Sequence, residues 1–542
     1  MPDFELSANV VDVVAGRVFP GTVAVANGRI AGVREEPGRQ FDRFIMPGFV
    51  DAHVHIESSM MVPSEFARFA SVHGTVATVS DPHEIANVLG IEGVRLMVGN
   101  GRRVPFKFHW GAPSCVPATT FETSGATLDA AALSGLFDET DLGYLSEVMN
   151  FPGVLSGDPE VLAKLRAAKD RGLPIDGHAP GLRGKDVRRY AAAGPSTDHE
   201  CITLEEGKDR IDAGMKVLIR EGSAARNFAA LHSLLRVAPD RCLFCTDDLH
   251  PDNLVSGHID RIVARAVAAG HDLFAVLRAA NFNAIGHYGL PVGLLRPADP
   301  ADFILVDDLR DFRVRQTYID GRLVAADGES QVERVDAPVS NRWGATTKRI
   351  DQFSVPSRGG LVRVIEALDG QLVTNELHLP AKEERGRLVA DVAADLLKIA
   401  VVNRYADAPP AVAFIRGFGL KSGAIASSVA HDSHNIVAVG TADTDLCAAV
   451  NALIEAKGGL AMVDGPRTDV MPLEVAGLMR RDGQAAAAGY ATLNRLAHDL
   501  GSPLRAPFMT LSFMALLVIP ALKLGDRGLF DGRAFRFVPL HV

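Results

Sequence analysis

The sequence predicts a mixed α/β protein. Its centre is a (β/α)8 TIM-type barrel, with a small composite β-sheet domain drawn from both flanks and an additional C-terminal α/β domain. Three observations predict this. Short apolar runs alternate with helical stretches from residue 45 to residue 292, the pattern of parallel strands joined by crossover helices. Strand-like runs broken by Gly-containing turns stand on both sides of that block. And 542 residues are more than one hydrophobic core usually organises.

Taken in order, residues 10–14, 22–26 and 30–33 read as short strands, with Gly28 in a turn. A matching set, 302–306 and 314–324 with Gly321 in a turn, lies beyond the central block. The small sheet domain is therefore expected from residues 1–44 plus 293–345. The barrel, 45–292, offers eight strand candidates: 45–52, 75–80, 104–110, 143–149, 174–177, 194–198, 215–219 and 241–246. Helical runs lie between them. In 159–171, Val161, Leu162 and Leu165 share a side; 224–237 carries Phe228, Leu231, Leu234 and Leu235. A doubly wound open sheet is the alternative. The C-terminal domain, 346–542, mixes strand-like runs (361–366, 411–415, 436–439) with helices, and has Gly417, Gly419 and Gly423 ahead of His431-Asp432-Ser433-His434-Asn435. The apolar run 508–524 contains Thr510, Ser512, Pro520 and Lys523. Its uninterrupted part is shorter than the roughly 20 residues of a membrane span, so it reads as a buried helix.

The bulk chemistry narrows the partners. A formal charge of −10 and a pI near 5.9 disfavour nucleic acid or an anionic membrane. Five cysteines fit a reducing, cytoplasmic setting better than a disulfide framework. Acidic residues in the opening Met-Pro-Asp-Phe-Glu stand where a secretory signal would carry basic ones.

Barrel chemistry sits at the C-terminal ends of the strands, and here those ends are charged. The first reads Asp51-Ala52-His53-Val54-His55, placing two imidazoles on one face of a strand. The fourth ends in Glu147, the fifth in His178, the sixth in His199 and the eighth in Asp247. Buried charges and imidazoles are costly without partners. These six suffice for two metals: His53 and His55 on one, His178 and His199 on the other, Glu147 between, Asp247 at the rim. Competing motifs fail. His83-Glu84-Ile85-Ala86-Asn87 lacks the second His of the helical zinc-protease motif. Cys242 and Cys245 lack the preceding proline of the small zinc-deaminase signature and read as buried structural thiols.

Met46-Pro47-Gly48-Phe49-Val50-Asp51-Ala52-His53-Val54-His55 resembles the opening strand of the amidohydrolase superfamily (metallo-dependent hydrolases). Several further runs narrow the resemblance to its adenine deaminase group: Ile56-Glu57-Ser58-Ser59-Met60, Asp81-Pro82-His83-Glu84, His178-Ala179-Pro180-Gly181-Leu182, Arg220-Glu221-Gly222-Ser223-Ala224 and Thr246-Asp247-Asp248. It continues through Gly417–Gly423, His431–Asn435 and Leu511-Ser512-Phe513-Met514. The resemblance implies hydrolysis of adenine to hypoxanthine and ammonia in purine salvage, and a small purine base as substrate. It also implies a binuclear divalent metal, Mn2+ or Fe2+, with Zn2+ admitted by the donor set. Strand four offers no lysine at its end, so Glu147 is expected to bridge.

In the mechanism this implies, a metal-bridging hydroxide attacks C6 of adenine while Asp247 moves its proton to the departing amine. Glu84 and His83 are candidates to protonate the ring, or else to orient ligands from behind, as Asp51 and Asp198 would. Ser58, Ser59, Arg220 and Glu221, within the matching motifs, are candidates for substrate binding. His431 and His434 either reach the substrate mouth, from this chain or a neighbour, or form a polar turn. Alternatives are deamination of a related purine such as N6-methyladenine, cyclic amide hydrolysis, or a non-catalytic barrel that serves assembly. A homo-oligomer is expected.

Overall fold

The computed structural model describes residues 3–542; Met1 and Pro2, which open the run read above as non-secretory, lie outside the described residues. Eight short strands form the barrel: β1 (Phe49–Val54), β2 (Thr75–Ser80), β3 (Lys107–Ala112), β4 (Tyr144–Val148), β5 (Ile175–Gly177), β6 (Thr197–Asp198), β7 (Lys216–Arg220) and β8 (Cys242–Cys245). β1 to β5 pair in sequence order as one parallel arc and β6 to β8 as a second. Ser196 N–H donates to Ile175 O at 2.8 Å across one seam. At the other, Asp247 N–H donates to His53 O at 2.9 Å and His55 N–H to Asp247 O at 3.2 Å. The eight strands therefore close, and the open-sheet alternative falls away.

Each of the eight expected runs contributes a barrel strand, with three local corrections. The first run is two strands: Phe44–Pro47 leaves the barrel, and β1 begins after Gly48. A Cβ on Gly48 would lie 2.3 Å from Val76 Cγ1, so only glycine allows this close passage over β2. The expected helix 224–237 is two short helices, Phe228–Leu231 and Leu234–Val237. The run 508–524 is helical only over Pro507–Phe513, then folds back into the strand Leu522–Gly525. The reversal brings the Lys523 ammonium to 2.9 Å from Phe513 O, a reach no continuous helix would give it. Among the described residues, no helix is long and apolar enough to cross a membrane.

Both flanks feed one eight-stranded sheet, from Phe4–Asp12 to Phe44–Pro47 and from Phe303–Val306 to Glu329–Ser330. The flanks join where Phe44–Pro47 pairs antiparallel with Phe303–Val306. The hairpin of Val314–Ile319 with Arg322–Ala326 turns on Asp320 (φ 47°) and Gly321 (φ 72°), the two left-handed residues of a tight two-residue turn.

A second eight-stranded sheet organises the C-terminal segment. Its central strands, Leu397–Val402, Ala424–Ser427 and Ile436–Gly440, are buried along their whole length. Alternate side chains go opposite ways, as strand geometry requires. Ala400, Val402, Ala426 and Ala438 pack with Leu446 and Leu453 of the helix Asp443–Ala456. Ile399, Val401, Ile425 and Val437 join the core shared with the barrel. A sheet covered on both faces is docked firmly, and the loop before Ile436 is carried to the barrel mouth.

Candidate metal centre

β1, β4, β5, β6 and β8 deliver His53, His55, Glu147, His178, His199 and Asp247 to one cluster at the C-terminal mouth. His53 Nε2 and His55 Nε2 lie 3.2 Å apart, because residues two apart on a strand share a face. Asp247 Oδ1 is 3.4 Å from the first and 3.1 Å from the second. Glu147 extends one oxygen each way: Oε1 is 3.3 Å from His55 Nε2, while Oε2 is 2.5 Å from His178 Nδ1 and 3.1 Å from His199 Nε2. All six are 6% exposed or less, so water cannot satisfy them.

Surrounding groups fix these orientations. His55 Nδ1–H donates to Asp81 O at 3.2 Å, which leaves Nε2 with its lone pair toward the cluster. Asp247 has a left-handed backbone (φ 57°), a conformation asparagine and aspartate tolerate best. Its two backbone bonds across the β8–β1 seam hold it there. Arg220 Nη1 donates to Asp247 Oδ2 at 2.5 Å and also to Glu200 Oε1, turning Asp247 Oδ1 toward the histidines. Burial would raise the Asp247 carboxyl, but Arg220 and His199 hold it well below the usual range. Burial likewise opposes Glu147, which His178 nonetheless keeps well below the ordinary carboxylate value.

Asp247 Oδ1 is buried with no hydrogen-bond partner, and two imidazole nitrogens face each other beside it. Nitrogen lone pairs and carboxylate oxygens converge here without enough donors to satisfy them. The set fits divalent cations, which accept from imidazole and carboxylate alike. A group of His53, His55 and Asp247 and another of His53, Glu147 and His199 each have their donor atoms within 4.8 Å of one another.

Residues 44–324 match the amidohydrolase family, and residues 371–536 match the adenine deaminase C-terminal domain. A Salinibacter ruber protein named adenine deaminase is 56% identical over 99% of both chains. Counterparts of the same name from Sulfurovum (54%, 98% of this chain and 99% of that one) and Methanosarcina acetivorans (53%, 98% of each) are nearly as similar.

The chain belongs to the adenine deaminase family.

Membership in this amidohydrolase group implies a divalent metal centre, and the cluster is where this chain can hold it. The remaining sequence-predicted residues are distributed unevenly. His83 lies beside the cluster, its Nδ1 3.5 Å from Glu147 Oε1 and 3.1 Å from Asp81 Oδ2. Glu84 follows it, its Oε1 paired to His431 Nδ1 and its Oε2 2.5 Å from His434 Nε2. The C-terminal loop thus reaches the mouth of its own chain's barrel. Ser58 Oγ donates to Asp248 Oδ1 at 2.5 Å, at the rim. Two of the expected substrate contacts, Ser59 and Glu221, point elsewhere. Ser59 Oγ donates to Ile56 O at 2.6 Å. Arg220 gives Nη1 to Asp247 and Glu200, while its buried Nε has no hydrogen-bond partner and the residue lines a cavity between barrel and C-terminal segment. Glu221 points outward to Arg265 Nη1 at 2.6 Å. Asp51 and Asp198 sit behind the ligands. Asp51 Oδ1 accepts from Thr246 N at 3.0 Å, and Asp198 pairs with Arg210 Nε at 2.7 Å.

Sequence reasoning missed Glu200, Asp432 and the apolar ceiling of Leu372, Phe513 and Leu516. Glu200 directly follows His199, the one signal that could have found it. The narrow cavity over the cluster shares Met149, Glu200 and Leu372 with a much larger one, of about 1010 Å³, between barrel and C-terminal segment.

Proposed function

We propose that the chain hydrolyses adenine to hypoxanthine and ammonia on a pair of divalent cations. His53, His55 and Asp247 would hold one cation and His178 and His199 the other, with Glu147 within reach of both groups. The observation that carries this is end-to-end similarity, 56% identity across 99% of both chains, to a protein named adenine deaminase. The donor set, imidazole and carboxylate without thiolate, would suit Mn2+ or Fe2+ and admits Zn2+. When bound, such a pair supplies Lewis-acid activation of a water at neutral pH.

The chain's own groups then handle orientation and protons. Arg220 occupies Asp247 Oδ2, so Oδ1 is the oxygen left to accept a proton from the attacking water. The low carboxyl pKa keeps it ionised for that task. As the C6–N bond breaks and C6–O forms, Asp247 returns the proton to the amine, which leaves as ammonia. The ring needs a proton too. Burial pulls His431 down, but the Glu84 and Asp248 carboxylates push it up to about 9. The Glu84–His431 pair therefore holds a proton at neutral pH beside His83, within the cavity. Leu372, Phe513 and Leu516 exclude bulk water above it.

We also place the enzyme in the cytoplasm as a homo-oligomer. Its five cysteines, free and buried, suit a reducing compartment, and light scattering on the purified protein tests the second point. The deciding experiment is an assay of ammonia release from adenine, adenosine and N6-methyladenine, using protein produced with Mn2+ and metal content measured on the same sample. Adenine should be the best substrate by at least about tenfold. Metal-loaded protein that releases no ammonia from adenine would overturn the proposal.

A further inference from the structure

Among the buried carboxylate oxygens lining the cavity, Asp247 Oδ1 and Asp432 Oδ2 lack a hydrogen-bond partner. The first faces the cation site. The second lies apart from those six ligands, in a group with His83 and Glu84 whose donor atoms also lie within 4.8 Å of one another. Asp432 is 3% exposed, comes from the C-terminal loop, and among the described residues meets no ammonium or guanidinium group. Its nearest cationic neighbours are imidazoles, His83 Nε2 at 3.7 Å and His431 Nδ1 at 4.0 Å, both beyond hydrogen-bond range. A buried acceptor left unmatched is costly unless something arrives to match it.

The surroundings say what could arrive. The His83 ring spans one wall of the cavity, with Nδ1 3.5 Å from Glu147 Oε1 at the cation end and Nε2 3.7 Å from Asp432 Oδ2 at the other. The Glu84–His431 pair stands beside the Asp432 end, with Glu84 Oε1 3.4 Å from His83 Nε2 and His431 Nδ1 4.0 Å from Asp432 Oδ1. His431 is itself stacked on Phe513, with centroids 4.6 Å apart and planes 14° off parallel, giving a flat, rigid side. The His83 ring thus has the cation cluster at one end and, at the other, the protonated Glu84–His431 pair together with the orphan acceptor. With C6 at the cation end, the far end of a free purine is its five-membered ring, which carries one N–H.

We propose that Asp432 Oδ2 accepts the imidazole-ring N–H of the free base, so that this C-terminal residue makes the enzyme select bases over nucleosides and other ring-alkylated purines. The inference rests on the adenine deaminase reading above and deepens it. Substituting the ring nitrogen removes the donor and sets an alkyl group against a buried carboxylate. Sites built to pair a substrate N–H reject analogues lacking it far more strongly than apolar pockets reject an extra methylene.

The test pairs a side-chain change with a substrate change. kcat/KM is measured for adenine, 7-methyladenine and 9-methyladenine, both methyl isomers lacking an imidazole N–H, with wild type, Asp432→Ala and Asp432→Asn. Binding of hypoxanthine and 9-methylhypoxanthine is followed calorimetrically. Wild type should prefer adenine by about 10³-fold or more. Asp432→Ala should lose most of its activity on adenine, and its preference should shrink to within about tenfold, since the smaller side chain admits the methyl group. Asp432→Asn keeps an acceptor oxygen and should recover most of the preference. An Asp432→Ala enzyme with parental metal content and unchanged preference would overturn the proposal. Should that variant fail to fold, wild type binding 9-methylhypoxanthine as tightly as hypoxanthine would do so. Wild type inactive on adenine would instead sink the underlying reading.

Discussion

Replacing Asp247 by alanine separates its two expected duties. The side chain contributes one oxygen to the His53–His55 side and one to Arg220. Removing it takes away the proposed proton acceptor, and general acid–base groups contribute about 10²–10⁴ in rate. His53, His55 and Glu147 remain as donors, so metal content should stay near that of the parent. Arg220, 2% exposed, keeps Glu200 as a partner. The stability loss should therefore sit at the low end of the range for breaking a buried pair, about 3 kcal/mol. The assay is ammonia release at saturating adenine, with metal analysis and a thermal midpoint on the same preparation. A variant that keeps most of its turnover refutes the proton role. One that loses both metals shows Asp247 to be indispensable for holding them, and the kinetic argument no longer follows.

Three further outcomes are expected. Glu84→Gln should lose at least about 10²-fold in kcat. His434 accepts Ala430 N–H on Nδ1 and so donates from Nε2, and one amide oxygen cannot accept from both His431 and His434 as the carboxylate does; kinetics and a thermal midpoint check this. Glu221→Ala should change kcat/KM by less than about twofold, because its side chain meets Arg265 outside the cavity; a larger loss would mean it swings inward to meet substrate. Lys523 is buried and pushed down to about 7 from 10.5 by desolvation. The unfolded chain therefore binds a proton that the folded one releases between pH 7 and 10.5, and stability due to this group rises with pH across that window, by up to about 5 kcal/mol. Thermal midpoints of wild type and Lys523→Met, compared from pH 6 to 10, should show wild type gaining on the variant as pH rises; a flat difference contradicts it.

The barrel was legible because its strands are short apolar runs, five of which end in a histidine or carboxylate, and neither feature needs knowledge of the rest of the chain. His53 and His55 show this best, since the two-residue period of a strand alone puts both on one face. The same period sets Arg220 apart from Glu221, which the resemblance alone did not. One motif held both, yet neighbours on adjoining positions diverge, Arg220 inward to Asp247 and Glu221 outward to Arg265. Long-range pairing was not readable. Glu84 meets His431 across 347 residues, and no local pattern announces that contact. Lys523, inside an apolar run, marks a chain reversal that only its carbonyl partners Leu372 and Phe513 explain.

The account stands on six buried side chains sharing two cations. Metal analysis of the purified chain, before and after chelation and after titration back with Mn2+, tests it most directly. Two equivalents per chain, lost and regained together with adenine turnover, is the predicted result. Full activity with well under one equivalent bound would contradict it.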